Sequence, residues 1–265
     1  MNSFKFYKYH GAGNDFIIID DRTLFFDMGN QAFISRLCDR RFGIGADGLM
    51  LLQNSPSHDF NMIYYNSDGK QGTMCGNGGR CIVVFAENLG LINDETIFTA
   101  IDGVHKAKII ENNSPDYVVK LDMIDVNIIQ LFDKYSLIDT GSPHYVEFVD
   151  DVESIDVYNN GQHIRYNSLY GKEGVNVNFV ELINNHTLSV RTYERGVEAE
   201  TYSCGTGATA CALIANYRSI LGGNEIDIIA RGGNLSVSFE VENSRYFNVK
   251  LKGPAQLVYV GDYKL

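Results

Sequence analysis

Cysteine stands directly before a glycine-rich turn twice in this chain, as Cys75-Gly76-Asn77-Gly78 and, 129 positions later, as Cys204-Gly205-Thr206-Gly207. Each tetrapeptide opens an apolar run, Cys81-Ile82-Val83-Val84-Phe85-Ala86 in the first copy and Ala208-Thr209-Ala210-Cys211-Ala212-Leu213-Ile214-Ala215 in the second. The alanines of the second run, and Gly90 closing the first, favour buried helices over strands. The first turn of a helix presents unpaired N–H groups and the positive end of the helix dipole. Glycine lets a ligand come close to that backbone. A carboxylate would therefore sit on the N–H groups of Gly76 and Asn77, or of Gly205 and Thr206. A cysteine at the same place loses its proton more easily than an ordinary thiol, whose pKa is about 8.5, and so becomes a competent base. One such motif would suit a protein core equally well, because cysteine packs as a small apolar residue. Packing alone gives no reason to repeat it with both glycines, so Cys75 and Cys204 read as catalytic residues in two halves of one active site.

The elements that must position these residues repeat as well. An apolar stretch that breaks into polar residues precedes each motif, Met62-Ile63-Tyr64-Tyr65-Asn66 and Leu188-Ser189-Val190-Arg191-Thr192-Tyr193-Glu194-Arg195, and Asn66 and Arg195 each stand nine residues before their cysteine. The unit is strand, loop, Cys-Gly-x-Gly, helix, twice. Around it, strands are expected at 5–9, 16–20, 49–52 and 60–65, then at 96–101, 106–110 and 117–123. The second half repeats the plan with strands at 135–140, 145–149, 175–182 and 188–193, followed by 226–230, 235–240, 247–251 and 256–260. A helix is expected at 31–39, where Phe33, Ile34, Leu37 and Cys38 form an i, i+1, i+4, i+5 stripe. Cys38, Cys81 and Cys211 lie within apolar patterns and are expected in the core. The fold class is α+β: two pseudo-symmetric domains, each a mostly antiparallel sheet curled around a buried central helix. Residues 1–118 with Cys75 make the first, to which a strand at about 256–265 returns; residues 119–255 with Cys204 make the second. The active site is expected in the cleft between them.

Composition narrows the partners. A chain of 265 residues with 45% hydrophobic and 21% charged residues can build a substantial core. Its net charge of −11, from 33 acidic and 22 basic residues, argues against nucleic acid. No stretch approaches the roughly 20 apolar residues that span a bilayer, and residues 1–6 alternate like a strand and lack a signal-peptide core. Five cysteines without a Cys-x-x-Cys pair suggest thiols in a reducing cytoplasm. Six scattered histidines offer no metal-ligand spacing. His10-Gly11-Ala12-Gly13-Asn14-Asp15 lacks the third glycine of a dinucleotide loop, and a strand follows it. There is no phosphate loop and no nucleophile elbow. No motif selects Lys70 or Lys172 as a Schiff-base lysine for pyridoxal phosphate. Chemistry without a cofactor or metal is the simpler reading.

The chain resembles the diaminopimelate epimerase family, pyridoxal-independent amino-acid epimerases and racemases of bacterial lysine and cell-wall synthesis. The resemblance rests on five segments in order: His10-Gly11-Ala12-Gly13-Asn14-Asp15-Phe16; Gly43-Ile44-Gly45-Ala46-Asp47-Gly48; Asn66-Ser67-Asp68-Gly69 leading to Met74-Cys75-Gly76-Asn77-Gly78; Tyr193-Glu194-Arg195-Gly196; and Ser203-Cys204-Gly205-Thr206-Gly207. It implies interconversion of LL- and meso-diaminopimelate, one cysteine as thiolate removing the α-proton while the other, as thiol, supplies a proton from the opposite face. It further implies that Gly76, Asn77, Gly205 and Thr206 bind the α-carboxylate end and that Glu194 contacts the reacting amine. Asn66, Asn176 and Arg195 would grip the distal end, with Asn14 as another substrate contact. A homodimer in the cytoplasm is the family expectation. Three positions depart from the pattern: Gly48, where many members carry glutamine; Ser142, where they carry asparagine; and Val197-Glu198-Ala199-Glu200, where they are glycine-rich. These bear on substrate affinity more than on reaction type, and His144 is expected in a supporting role. The alternatives are the same chemistry on histidine or proline, and a non-catalytic carboxylate-binding protein. Asn77, where proline racemases carry histidine, argues against the proline branch.

Overall fold

Clean alternation in some strands and unbroken apolar runs in others predict sheets that are wet on one face in places and covered on both in others. The computed structural model, which describes residues 3–265, has both kinds. It divides into two units, Met1–Leu121 with Gly253–Leu265, and Asp122–Lys252.

In the first unit, β1 (Ser3–Gly11) and β2 (Asn14–Asp20) form a hairpin whose two-residue turn, Ala12 and Gly13, has φ of 51° and 82°. Positive φ at both positions matches the twist of the flanking strands. Helix α1 (Gln31–Cys38) crosses to β3 (Gly48–Gln53), which runs parallel to β2, and β4 (Phe60–Asn66) returns antiparallel. Helix α2 (Gly76–Asn88) follows, then β5 (Glu95–Ala100), parallel to β4, and the antiparallel strands β6 (Gly103–Asn113) and β7 (Asp116–Asp122). The end of the chain closes the ring, pairing with β7 from Gly253 and with β1 as far as Lys264. Every residue of α2 from Gly76 to Ala86 is buried. A helix apolar all round must be enclosed, and burying each of its large apolar side chains stabilises the fold by roughly 1.5–3 kcal/mol. Helix α1 buries only Ile34, Leu37 and Cys38 and packs on the outer face of the sheet with Phe4, Phe6, Ile17, Ile19, Leu49 and Leu51. The all-buried β3 is thus covered on both faces. The alternating segment 1–6 lies partly outside the described residues.

The second unit repeats the plan. After β8 (Ile129–Leu131) come β9 (Tyr135–Asp139), β10 (Pro143–Phe148), helix α3 (Val157–Arg165), a 3-10 turn (Ser168–Tyr170), β11 (Asn176–Asn184) and β12 (Thr187–Glu194). Then follow the short β13 (Ala199–Thr201), helix α4 (Gly205–Tyr217), β14 (Glu225–Ala230), β15 (Gly233–Glu242) and β16 (Arg245–Lys264). Neighbouring strands run in the order β8-β9-β10-β11-β12-β14-β15-β16, with β13 off β12 and a bridge between Val126 and Tyr246. The parallel pairs, β10 with β11 and β12 with β14, correspond to those of the first unit. Helix α4 is buried over most of its length, and Cys81, Cys211 and Cys38 lie in cores.

Three features escape the sequence reading. Helix α3 buries only Val157, Gly161 and Arg165, so it has no apolar stripe; it starts because the Asp156 side chain accepts the Asn159 N–H. Strands β8 and β13 span three residues each. Finally, Gly253-Pro254 does not break β16, which continues for 20 residues from one unit into the closing strand of the other.

Candidate functional site

Each cysteine occupies the N-cap of a buried helix, with extended backbone before the first turn: φ is −97° at Cys75 and −118° at Cys204. The remaining candidates cluster at strand ends and first helical turns. Asn14 opens β2 and Asn176 opens β11. Asn66 closes β4, and Glu194 closes the corresponding β12 with Arg195 just beyond it. Gly76 and Asn77 open α2; Gly205 and Thr206 open α4.

In the first unit the structure links Cys75, Asn14 and Asn77. The Cys75 Sγ lies 3.6 Å from Asn14 Oδ1, and Asn77 Nδ2 donates to the same oxygen at 3.3 Å. Asn14 Nδ2 in turn donates to Asp47 Oδ2 at 2.7 Å. Asn77 is fixed from behind by Arg80, whose guanidinium donates to Asn77 Oδ1 at 2.8 Å, to Gly76 O at 3.2 Å and to Pro254 O at 3.3 Å. Arg80 is fully buried, and that burial holds its pKa below the ordinary arginine value. A lone charge inside an apolar run was the available sequence signal for it. Gly11 lets α2 approach β1, since a Cβ there would lie 2.9 Å from the Asn77 carbonyl. Asn66 is exposed at its strand end and accepts the Gly69 N–H on its carbonyl at 2.9 Å.

The second unit gathers two groups. Around the buried Cys204, the Gly207 N–H donates to Sγ at 3.4 Å, and Thr206 Oγ1 lies 3.4 Å from the same sulfur. Thr206 Oγ1 meets His144 Nε2 at 3.0 Å, and its carbonyl accepts from Thr140 Oγ1 at 2.9 Å. Asn178 Nδ2 contacts His144 Nδ1 at 3.1 Å. His144 is fully buried, and burial, with the Arg195 charge second, pushes its pKa down to about 3. The other group centres on Ser142 Oγ, which accepts from Asn176 Nδ2 at 2.8 Å and from an Arg195 guanidinium nitrogen at 3.4 Å. Asn176 Oδ1 also accepts the Arg195 N–H at 2.8 Å. Parallel register brings this about by setting His144 of β10 opposite Asn176 of β11. Thr140, Asn178 and Thr192, whose Oγ1 donates to Asn178 Oδ1 at 2.9 Å, were invisible in the sequence as contributors, because an isolated polar residue in or just beyond a strand has no local signature. The spacing Asn176-x-Asn178, which puts two amides on one face, was the only hint.

Chemically, each unit thus offers a sulfur at the positive end of a helix and backbone N–H groups suited to an anion, and the second adds a guanidinium steered by Ser142 and Asn176. Among the described residues, no cluster of three His, Cys, Asp or Glu is arranged to hold a metal ion.

The family model described as diaminopimelate epimerase matches residues 6–129 and 136–258. A diaminopimelate epimerase of Flavobacterium psychrophilum is 53% identical over 255 residues, covering 96% of this chain and 98% of its own. One from Aquifex aeolicus is 36% identical, covering 97% and 96%. The crystal structure of a Bacillus anthracis phenazine biosynthesis protein of the PhzF family superposes with a TM-score of 0.77 at 12% identity, covering 100% of both chains, a likeness of fold.

Proposed function

The chain belongs to the diaminopimelate epimerase family, and from that premise we propose that it interconverts LL- and meso-2,6-diaminopimelate by removing the α-proton with one of Cys75 and Cys204 and supplying another proton from the other. The observation that carries this reading is the repeated construction: two cysteines, each the N-cap of a buried helix that opens with Gly-x-Gly. One sulfur, as thiolate, takes the α-proton; the other, as thiol, delivers a proton to the opposite face, and the stereocentre inverts. Identical residue types suit a reversible reaction, because exchanging their protonation states exchanges acid and base. The reading requires both sulfurs to reach one α-carbon.

In this reading the N–H groups of Gly76 and Asn77 and of Gly205 and Thr206 hold the α-carboxylate and stabilise charge that develops as the carbon is deprotonated. Glu194 contacts the reacting amine, while Asn66, Asn176 and Arg195 grip the distal end and Asn14 lines the site. Arg195 suits a carboxylate because its planar guanidinium donates two parallel hydrogen bonds. The mechanism uses no cofactor. We further place the enzyme in the cytoplasm as a homodimer; no helix among the described residues is long and apolar enough to cross a membrane.

The test is proton NMR of reduced protein with LL-diaminopimelate in deuterated water. Exchange at the α-carbon together with appearance of the meso isomer supports the reading. Binding without exchange would leave a carboxylate-binding protein, and silence would redirect the search to other amino acids. Cys75→Ala and Cys204→Ala each abolish complete epimerisation; wild-type turnover in either variant would refute the two-sulfur mechanism.

A further inference from the structure

Charged side chains crowd the segment around Arg195, and most of them are tightly engaged. Glu200 accepts from Arg191 at 2.7 and 2.9 Å, and the remaining Arg191 nitrogen donates to the carbonyls of Val152, Glu153 and Ile155. Glu198 accepts from Arg165 at 3.1 and 3.2 Å and from the Gly196 N–H at 3.0 Å. One pair of opposite charges is held differently. Arg195 Nη1 lies 3.9 Å from Glu173 Oε2, beyond the roughly 2.7–3.2 Å of a direct N–H···O bond. The same guanidinium meets Ser142 Oγ at 3.4 Å. The Glu173 side chain is 91% exposed. An exposed pair at this distance contributes little to stability, so a ligand replaces either partner at small cost.

Local backbone geometry sets where Glu173 stands. Its short loop is bounded by Gly171 and Gly174, whose φ of 69° and 63° lie in a region that residues with a side chain rarely enter. Gly174 packs directly on Arg165: a Cβ there would collide with the Arg165 guanidinium and lie 2.5 Å from its carbonyl oxygen. Arg165 also grips Glu198, three positions beyond Arg195. A single buried arginine thus locates both the Glu173 loop and the chain that follows Arg195. The neutral acceptors beside Arg195 are already drawn upon. Ser142 Oγ accepts from Asn176 and from Arg195, which uses both of its lone pairs, and Asn176 Oδ1 accepts the Arg195 backbone N–H. Glu194, the preceding residue, is read as the partner of the reacting amine. The Glu173 carboxylate is therefore the anionic acceptor that faces the Arg195 guanidinium and has no tight contact with it.

We propose that Glu173 is a specificity-determining residue that binds the distal amino group of the substrate. The distal end of diaminopimelate is itself a zwitterion, with a carboxylate and an ammonium on one carbon. With Arg195 on that carboxylate, as read above, the ammonium falls to an acceptor beside the guanidinium, and Glu173 supplies one of opposite charge. The substrate carboxylate takes the place of Glu173 as partner of Arg195, and the substrate ammonium takes the place of Arg195 as partner of Glu173. One loose ion pair is exchanged for two closer ones, and no charge is left unpaired. A chain ending in a carboxylate alone would leave Glu173 facing a second anion and is rejected. The assignment deepens the epimerase reading and rests on it, through the placing of Arg195 at the distal end.

The experiment compares LL-diaminopimelate with L-2-aminopimelate, which keeps the carbon chain and both carboxylates and lacks only the distal amine. KM is measured for the first, and the competitive inhibition constant for the second. Glu173→Gln should raise the KM for LL-diaminopimelate about five- to tenfold with little change in kcat, as loss of a contact made equally in the ground and transition states does. The same variant should bind L-2-aminopimelate as well as the wild type does or better, because the repelling charge is gone. Glu173→Asp, which keeps the charge, should keep most of the preference. Lys172→Gln, an exposed change one position away in the same loop, should move neither constant. A KM for LL-diaminopimelate that stays in place in Glu173→Gln overturns the proposal, and so does a lowered one, which would make Glu173 a competitor of the substrate for Arg195. Equal weakening of both compounds also overturns it, since that marks a disturbed loop and not a lost contact to the amine. In each of these outcomes the wild type still epimerises LL-diaminopimelate, whereas a silent wild type in the NMR assay would refute the underlying reading instead.

Discussion

Acid sensitivity should reside in a histidine that stays neutral in the folded protein at pH values where the unfolded chain protonates it. His144 is fully buried, its Nδ1 accepts from Asn178 and its Nε2 meets Thr206, and its pKa falls from an ordinary 6.5 to about 3. The sign follows from proton counting. Between these two values the unfolded chain binds one more proton at this position than the native one, so stability rises with pH across that window and is lost as pH falls below about 6.5. The slope is about 1.4 kcal/mol per pH unit, so at pH 5 this residue alone costs about 2 kcal/mol, and above pH 7 it costs essentially nothing. His144→Gln removes the titration while offering an N–H in place of Nε2. The assay is urea unfolding followed by far-ultraviolet circular dichroism, since the chain has no tryptophan. Between about pH 7.5 and about pH 5, the wild type should lose about 2 kcal/mol more than the variant, whatever the variant's absolute stability. Equal losses in the two proteins would refute the argument.

Asp15 should act in the same direction over a more acidic range. It is bound by Arg40 at 2.6 and 2.9 Å and by Lys8 at 2.7 Å, and although burial favours its neutral form, those two cations hold its pKa well below the carboxylate norm. A lowered folded pKa gives stability that is present above the unfolded value near 4 and lost as pH falls below it; Asp15→Asn should therefore cost about 2 kcal/mol at neutral pH, and the difference should shrink in acid. Gly161→Ala would place a Cβ 2.3 Å from Tyr193 Cβ and force α3 off β12. Despite better helix propensity it should lower stability by at least about 1 kcal/mol, seen as a reduced Tm. Asp156→Ala removes the cap of the same helix and should cost about 1 kcal/mol, read by urea titration; no change would mean that packing, not capping, sets its start.

Legibility followed the range of the interactions involved. The central helices could be read because burial on every side leaves a local apolar signature, and the cysteines because the motif recurs in the same context. Helix α3 could not, since Tyr158-Asn159-Asn160-Gly161-Gln162 carries no apolar stripe and is held by a cap and by Gly161 lying against Tyr193. The continuity of β16 was hidden by Gly253-Pro254, a pair that reads as a break until β7 is known to lie alongside it. Within the candidate site, the residues at helix starts were readable, whereas Thr140, Asn178 and Thr192 depend on strand register.

The departures at Gly48, Ser142 and 197–200 make sense on the same terms, because each is tied to a neighbour that the sequence order conceals. A Cβ at Gly48 would lie 2.5 Å from the Tyr64 ring and 2.7 Å from the Tyr65 carbonyl, so the tyrosine already fills the space a longer side chain would need. The Ser142 hydroxyl accepts from both Asn176 and Arg195, a role that needs an oxygen acceptor and not an amide of a particular size. The acidic pair after Gly196 is a brace: Glu198 accepts from Arg165 at 3.1 and 3.2 Å and from the Gly196 N–H at 3.0 Å, while Glu200 accepts from Arg191 at 2.7 and 2.9 Å. Burial opposes ionisation of both carboxyls, yet their partners hold both pKa values below the glutamate norm. A glycine-rich loop would leave the chain beyond Arg195 to its own flexibility, whereas here two arginines anchor it. Substitution at Ser142 or within 197–200 therefore alters how Arg195 is held, and the cysteine-bearing helix starts retain their own separate supports in Arg80 and in the His144 contact with Thr206.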